Sequence, residues 1–240
     1  MRRRLLLKLT GLPFLMALPS HAQQVTTLQI STLMGSDPAT IIAQKIIIEA
    51  YRRLNIHVDI NELPGERSLL SADSGLTDGE LYRKAGIEAL YRNLVMVPVP
   101  LMNYEIVVFS RSLNFPVNGW ESLRPYTIGF VKSIKIIEEN TKGMKIEVAT
   151  SLRNAFLKMM LGRSDVVVTN RLSGLAMIKE LALSEIALLS PALVVFPVYH
   201  YLNKKHADLI PDLTSVLNKM QNEKAIRDIQ KTVKSDLGVE

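Results

Sequence analysis

The amino-acid sequence predicts an α/β fold of two lobes, joined by a hinge and separated by an interdomain cleft. Two series of alternating strand and helix patterns give this prediction, one before residue 111 and one within residues 112–192. Strand and helix patterns resume at residue 193, so the chain crosses between the lobes twice. We therefore expect two sheets, one in lobe one (residues 23–111 with 193–240) and one in the inserted lobe two. The carboxyl ends of their parallel strands should face the cleft.

The start of the sequence has the layout of a secretory signal peptide. Residues 2–4 are arginines, an apolar stretch covers residues 9–18, and a small-residue site ends at Ala22. We expect cleavage after Ala22, which removes residues 1–22 and predicts a periplasmic protein. An N-terminal anchor that is not cleaved is the alternative.

The charge of the chain gives little support to a nucleic-acid partner. The whole sequence has 29 basic and 23 acidic residues, a net charge of +6. The predicted signal peptide holds four basic residues and no acidic one, so the mature chain would carry 25 basic and 23 acidic residues, a net charge of +2. A nucleic-acid-binding domain needs a basic patch on its folded surface. We expect no nucleic-acid partner.

Metal and thiol chemistry is not indicated. The chain has no cysteine, which excludes disulfides and thiolate metal sites. Its histidines are His21, His57, His200 and His206, and no ligand spacing relates them to each other or to a carboxylate cluster. We predict structural or surface roles for them, with His200 hydrogen-bonded within a sheet, and we predict no metal and no cofactor.

Lobe one begins with a predicted strand, helix and strand. An alternating run predicts a strand from Thr26 to Leu33, and residues 56–63 predict the second strand. Residues 39–55 are apolar on most faces and predict a buried helix that Ser36 or Asp37 caps. This order implies that the two strands pair in parallel.

A short helix and two separate strands complete the first part of lobe one. The helix is predicted over residues 66–75 and ends at Gly75, a residue type that favours helix ends. The strands are expected at residues 94–100 and 105–112.

Lobe two is predicted from four strand patterns with helix patterns between them. The strands are expected at residues 126–131, 145–150, 165–170 and 186–191, and the helices at residues 134–143, 151–164 and 171–181. An extended segment at residues 194–204 and one or two amphipathic helices within residues 209–233 should follow.

The sequence carries no catalytic motif. It lacks a G-x-S-x-G elbow, a phosphate-binding loop and a G-x-G-x-x-G turn. What remains is a set of small polar side chains that directly follow predicted strands, and each of them could serve only as a helix cap. The set includes Ser36, Ser133, Thr150 and Asn170. Brought together in one crevice, such groups and the helix starts beside them suit an anionic ligand group.

Five stretches carry a family resemblance, and their order is its specific part. They are IIAQKIIIEAYRRLNIHVDINELPGERSL, SADSGLTDGELYR, WESLRPYTIGFVKS, GRSDVVVTN and YHYLNKKHADLIPDLTSVLNKM. On these stretches the chain resembles the extracellular solute-binding proteins of amino-acid-type ABC importers. The resemblance implies the type-two periplasmic binding protein fold.

The resemblance also implies candidate ligand contacts. In that family an arginine and a hydroxyl hold the carboxylate of the ligand, and an acid of the second lobe holds its ammonium group. Arg83 is the implied anion partner, with Arg67 as a second, because a guanidinium matches a carboxylate in a bidentate fashion. Ser133 and Thr150 are the implied contacts from lobe two.

Three departures from the family pattern leave the ligand class open. Asn170 stands where the family has its ammonium-binding aspartate, no aromatic residue follows the first strand, and Lys132 stands where a glycine is expected after the first strand of lobe two. Arg83 also has an alternative role as a surface arginine paired with Glu80. Gly79 to Arg83 is expected to form a turn that Asp78 caps.

The sequence thus predicts a non-enzymatic, monomeric periplasmic solute-binding protein. It would capture a small polar ligand, an amino acid or a related organic acid, by hinge closure, for an inner-membrane ABC permease or a sensor. One alternative is a small lyase or dehydratase on the same fold, with Glu66 or Glu80 as the acid. The other is a degenerate ligand-sensing or interaction module.

Overall fold

The computed structural model describes residues 27–35, 37–64, 66–132 and 134–239. The signal-peptide prediction, Ser36 and Ser133 lie outside these residues. The described strands are β1 (Thr27–Leu33), β2 (His57–Leu63), β3 (Gly79–Lys84), β4 (Leu94–Ser110), β5 (Ile128–Val131), β6 (Ile146–Ala149), β7 (Val166–Asn170) and β8 (Ala187–Asn203). The described α-helices are α1 (Pro38–Arg52), α2 (Arg67–Ser74), α3 (Lys135–Asn140), α4 (Leu152–Met160), α5 (Arg171–Glu180), α6 (Ile210–Asn222) and α7 (Ala225–Leu237).

The strands form one hydrogen-bonded sheet in the order β2-β1-β3-β8-β4-β7-β5-β6. The expectation of two separate sheets is wrong, because β4 and β8 are each 17 residues long and pair with each other through both halves of the molecule. The two pairs of short strands predicted in these regions are therefore one strand each. The pairing of β4 with β8 shifts register between Met96 and Met102 and again between Ile106 and Val108. These shifts let the two paired strands bend.

The pair of strands β4 and β8 runs through both halves of the molecule, and each half has its own hydrophobic core. In lobe one, β1 pairs in parallel with β2 and β3, as the sequence predicts for the first pair, and α1, α6 and α7 cover one sheet face. In lobe two, β5 pairs in parallel with β6 and β7, and Phe109 and Phe156 anchor the core under α4 and α5. The predicted lobe boundaries stay a prediction. The chain passes from one lobe to the other within the continuous strands β4 and β8, so no loop marks a boundary.

Helix starts and ends follow the chemistry of the sequence. Asp37 caps α1 by accepting a hydrogen bond from the Ala39 amide at 2.8 Å, and Pro38 occupies the first turn. Ser151 caps α4 in the same way through the Asn154 amide. Gly75 ends α2 in the left-handed region, at φ 81°.

The stretch from Gly79 to Arg83 is a strand, not a capped turn. Gly79 has to be a glycine at this strand's start, because a Cβ would lie 2.4 Å from the Tyr201 carbonyl oxygen of β8. Asp78 instead accepts hydrogen bonds from the Gln29 amide and from the side chains of Lys205 and His206. None of the helices within the described ranges is both long and apolar enough to cross a bilayer.

Candidate functional site: the cleft between the lobes

Aromatic side chains mark the place where the two lobes meet. Tyr104 on β4 and Phe196 on β8 each pack against the cores of both lobes, with ring centroids 5.6 Å apart. The ring centroid of Tyr82 on β3 lies 6.5 Å from that of Tyr104, and the Tyr82 hydroxyl is 3.0 Å from the Thr40 hydroxyl of α1. All three rings remain half-buried, so they form a surface at the junction.

An acidic side chain lies beside these rings. Asp37, at the start of α1 in lobe one, interacts through its carboxyl group with Tyr104 and with Ser173 of α5 in lobe two. Burial raises the pKa of Asp37, and the hydrogen bonds from Ala39, Ser173 and Tyr104 oppose this shift. The side chain nevertheless keeps partial solvent exposure. The Asp37 carboxyl group is thus desolvated but still reaches solvent.

The start of α5 forms the opposite wall. The Asn170 side chain caps this helix, because its Oδ1 accepts hydrogen bonds from the amides of Leu172 and Ser173 at 2.9 and 3.2 Å. Its Nδ2 donates to the Glu105 carbonyl at 3.3 Å. The side chain of Arg171 forms an ion pair with the Glu105 carboxylate at 2.6 Å. Leu172 packs onto the core of lobe one, so α5 is docked across the junction.

Arg83 directly follows Tyr82 in β3 and is held by a buried carboxylate. Its Nε donates to Glu80 Oε1 at 2.8 Å, and its Nη2 lies 3.2 Å from the Ser68 hydroxyl. The second oxygen of Glu80 accepts hydrogen bonds from Ser31, at 2.9 Å, and from Ser68. Burial raises the pKa of Glu80, and the Arg83 charge opposes this. Since 22% of its side chain is exposed, Arg83 retains donor capacity toward solvent.

The pKa values of the Tyr82 and Tyr104 hydroxyls are shifted by nearby charges of both signs. Burial is the main cause that raises the pKa of Tyr82 and of Tyr104, and the Asp37 charge raises both further. The Arg83 charge acts on the same two hydroxyls and lowers their pKa. The aromatic surface is therefore within electrostatic reach of the Asp37 and Glu80 carboxylates and of the Arg83 cation.

Comparison with solved structures identifies the fold. An arginine-binding protein from T. maritima, in its P235GK mutant form, superimposes with a TM-score of 0.69 at 17% identity, over 87% of this chain and 95% of that one. A histidine kinase sensor domain with similarity to periplasmic binding proteins gives 0.71 at 14% identity, over 87% and 96%. The fold is that of the type-two periplasmic binding proteins. The GluR0 ligand-binding core in complex with L-glutamate gives 0.72 at 8% identity, over 87% and 98%.

Sequence comparison is less informative than the fold. No protein-family model matches the chain. An uncharacterized protein of Shewanella oneidensis is 22% identical over 189 residues, which are 75% of this chain and 71% of that protein.

The predicted site residues fall at different places on this periplasmic binding protein fold. Arg83 and Asn170 lie near the aromatic surface, from lobe one and lobe two respectively. Arg67 is exposed on the first turn of α2, next to Ser68. Thr150 is exposed after the edge strand β6, where its hydroxyl accepts a hydrogen bond from Asn154 at 3.2 Å. Direct ligand contact stays a prediction for all of them.

The aromatic surface was not predicted from the sequence. No aromatic residue follows β1, and in this chain the rings come from three other strands. The signal was present in Tyr104 and Phe196, two aromatic residues near the middle of 17-residue strands. Asp37 was expected as a helix cap and as one of the polar residues after strands that could share a crevice, but its position beside the rings was not expected. No group of histidine, aspartate and glutamate side chains among the described residues is arranged to hold a metal.

Proposed function

We propose that this chain is a periplasmic solute-binding protein that captures an amino acid or a related organic acid between its lobes. The pair of rings Tyr104 on β4 and Phe196 on β8 carries the proposal, because these half-buried rings lie side by side and pack against the cores of both lobes. Closure of two lobes on a ligand is stable to the extent that the ligand binds the closed form better than the open form.

The charges around the cleft favour a ligand with groups of both signs. The Asp37 carboxylate has no lysine or arginine partner among the described residues and is desolvated, so a ligand ammonium or guanidinium group would offset that cost. The rings of Tyr82 and Tyr104 beside it would add cation–π attraction. Arg83, oriented by Glu80, would take the carboxylate of the ligand.

The cellular role in the proposal is delivery of the ligand to an inner-membrane ABC permease. The predicted signal peptide and the resemblance to importer-linked receptors support this role. A sensory role shares the same fold, as the similarity to a histidine kinase sensor domain indicates. Co-purification of the chain with either kind of membrane protein from its native host would separate the two roles.

A ligand screen tests the proposal. The purified protein is heated with single amino acids, small organic acids and short peptides, and each compound that raises the melting temperature is measured by calorimetry. We expect compounds with both an amino and a carboxylate group to bind, at one per chain. Absence of any stabilising compound would contradict the proposal and favour a degenerate interaction module.

Three variants test the assignment of the groups. Asp37→Asn keeps an oxygen for the helix cap but removes the charge, and we expect at least a tenfold loss of affinity, about 1.4 kcal/mol. Arg83→Lys should weaken binding because an ammonium cannot replace the planar guanidinium. Asp212→Asn, an exposed acid on α6, is the matched control. Unchanged affinity in both site variants would remove Asp37 and Arg83 from the site.

The remaining predicted contacts are tested with the same ligand. Arg67→Met removes the second arginine, which is exposed and has no ion-pair partner among the described residues. Thr150→Val removes the hydroxyl of lobe two. A loss of affinity in either variant, with an unchanged melting temperature of the free protein, would place that side chain in the site.

A small lyase or dehydratase is the second candidate function. Glu80 does not fit the catalytic acid of such an enzyme, because it is paired with Arg83. Asp37 fits better, since burial raises its pKa and no described basic side chain pairs with it. Nuclear magnetic resonance of each binding compound after incubation with the protein would detect turnover, which Asp37→Asn should abolish.

A further inference from the structure

The end of α7 in lobe one contacts α5 of lobe two. The ammonium group of Lys179 on α5 donates a hydrogen bond to the Leu237 carbonyl oxygen at 3.0 Å. Carbonyls in the last turn of a helix have no partner within the helix, and they carry the negative end of its dipole. The last turn of α7 has its own cation, Lys234, and lobe two supplies a second one that binds the Leu237 carbonyl directly.

The backbone after Leu237 is arranged for this contact. Gly238 adopts φ 62° and its amide donates to the Ser235 carbonyl at 2.9 Å, while the Val239 amide donates to the Lys234 carbonyl at 2.9 Å. This is the glycine-dependent way to end a helix, in which the residue after the glycine is usually apolar and packed. Val239 follows the rule, since only 3% of its surface is exposed.

The glycine also makes room for the side chain from the other lobe. A Cβ at Gly238 would lie 1.9 Å from Lys179 Nζ and 2.9 Å from Lys179 Cε. Val239 lines a surface depression of about 450 Å³ together with Leu175 and Ile178 of α5. The contact is therefore polar at Lys179 and apolar beside it.

We propose that Lys179 and residues 237–239 act as a strap that holds lobe two on lobe one when no ligand is bound. Helix α5 is held at its start by Leu172, which packs on the core of lobe one, and the strap holds its other end. An opening motion that separates the lobes has to break the Lys179–Leu237 hydrogen bond. The strap shifts the equilibrium between open and closed forms toward the closed form.

Distance measurements between the lobes test the strap without any ligand. The chain has no cysteine, so Asp208→Cys in lobe one and Lys142→Cys in lobe two, both exposed, carry two spin labels and no others. Double electron–electron resonance then gives the distribution of distances. We expect a population of longer distances in Lys179→Met, with the open-to-closed ratio raised about fivefold, the change that one ordinary hydrogen bond of about 1 kcal/mol produces.

Matched variants separate the strap from general effects. Lys231→Met removes an exposed cation of α7 that has no described contact with lobe two, and it should leave the distribution unchanged. Gly238→Ala should open the molecule as Lys179→Met does. Gly162→Ala is the control for this change. It has the same backbone cost, because Gly162 has φ 70°, but a Cβ at Gly162 meets nothing within 4 Å. Gly162→Ala should therefore not open the molecule.

The outcomes decide the inference independently of the proposed function. A Lys179→Met distribution identical to that of the parent protein overturns the strap, and so does an equal opening in Lys231→Met or Gly162→Ala. Opening in Lys179→Met and Gly238→Ala alone supports it, whether or not a ligand is ever found.

Discussion

The side chains of Glu80 and Arg83 meet on one face of β3, although three positions separate them. Residues three apart in a regular strand point to opposite faces. Here Glu80 pairs with Tyr201 and Arg83 with Tyr199, so three steps on β3 match two on β8. This bulge places Leu81 and Tyr82 together on the α1 face, and it returns Arg83 to the face of the buried Glu80.

Replacement of Arg83 by methionine should destabilise the protein. It would leave the buried Glu80 carboxylate without its cation, which typically costs about 3–5 kcal/mol in a fully buried pair. Because 22% of the Arg83 side chain is exposed, we expect a smaller loss, of about 2 kcal/mol in the free energy of unfolding. Urea denaturation at pH 7 measures it.

The pH dependence of that loss identifies its cause. Burial already raises the pKa of Glu80, and removal of the arginine should raise it further. Lower pH then protonates Glu80 in the variant and removes the unpaired charge. The difference in the free energy of unfolding between the parent protein and the variant should therefore shrink between pH 7 and pH 5. Glu80→Gln combined with Arg83→Met should recover part of the stability. A deficit that stays constant with pH would contradict the account.

Apart from β3, which was expected to be a turn, local sequence patterns predicted the order of strands and helices, because each is set by nearby residues. The caps at Asp37 and Ser151 and the helix end at Gly75 needed only short-range chemistry. The same patterns could not reveal that β4 and β8 are continuous, since prolines and register shifts interrupt the alternation where the strands bend. Pairing between distant segments decides that feature.

The candidate site was less predictable for a related reason. Arg83 was identified by the family resemblance. The face of β3 on which its side chain lies depends on the bulge in that strand, and the bulge has no sequence signature. Tyr104 and Phe196 are 92 residues apart in the sequence, and only the pairing of β4 with β8 sets their rings side by side. The polar residues that follow strands could be identified in the sequence, whereas the aromatic surface between the lobes could not.

A glycine-to-alanine change at position 174 should be destabilising, against the usual rule for helices. Alanine in a helix interior is normally favoured over glycine by about 1 kcal/mol. At Gly174 of α5, however, a Cβ would lie 2.1 Å from Phe109 Cε2, inside the core of lobe two. We expect a net loss of about 2 kcal/mol from overpacking, seen in urea denaturation. A second change, Phe109→Leu, should make the alanine more tolerable, and a stabilised Gly174→Ala protein would refute the packing argument.

Removal of the Ser164 hydroxyl should stabilise the protein. The residue is 3% exposed, and its Oγ has no hydrogen-bond partner among the described residues. It lies beside Gly129, where a Cβ would approach it to 2.8 Å. A buried hydroxyl without a partner costs about 1–3 kcal/mol, so Ser164→Ala should gain about 1 kcal/mol.

Ser110 provides the matched control for Ser164. It is also buried, but its hydroxyl donates to the Asp165 carbonyl and accepts from the Leu113 amide, both at 3.1 Å. Ser110→Ala should therefore lose about 1 kcal/mol, the opposite sign. Equal effects of the two alanines in thermal or urea denaturation would show that hydrogen bonding does not distinguish them.

The buried histidine of lobe one should make the protein sensitive to mild acid. His200 of β8 has no exposed surface, its Nδ1 lies 3.2 Å from the Leu81 carbonyl, and its Nε2 lies 3.0 Å from the Tyr51 hydroxyl. The arrangement fits a neutral ring that donates to Leu81 and accepts from Tyr51. Burial lowers the pKa of His200 from 6.5 to about 4.

Stability should therefore fall as the pH decreases from 6.5 to 4, because the unfolded chain binds a proton that the folded chain excludes. The full effect of this group is at most about 3 kcal/mol. Asp37 and Glu80 act with the opposite sign, since their raised pKa values let the folded state take up protons first. The measurement is thus a comparison with His200→Asn, which keeps an amide donor near the Leu81 carbonyl but does not titrate. The variant should be less stable at pH 7.5, and the difference from the parent protein should narrow toward pH 5; parallel curves would mean that His200 is not the group responsible.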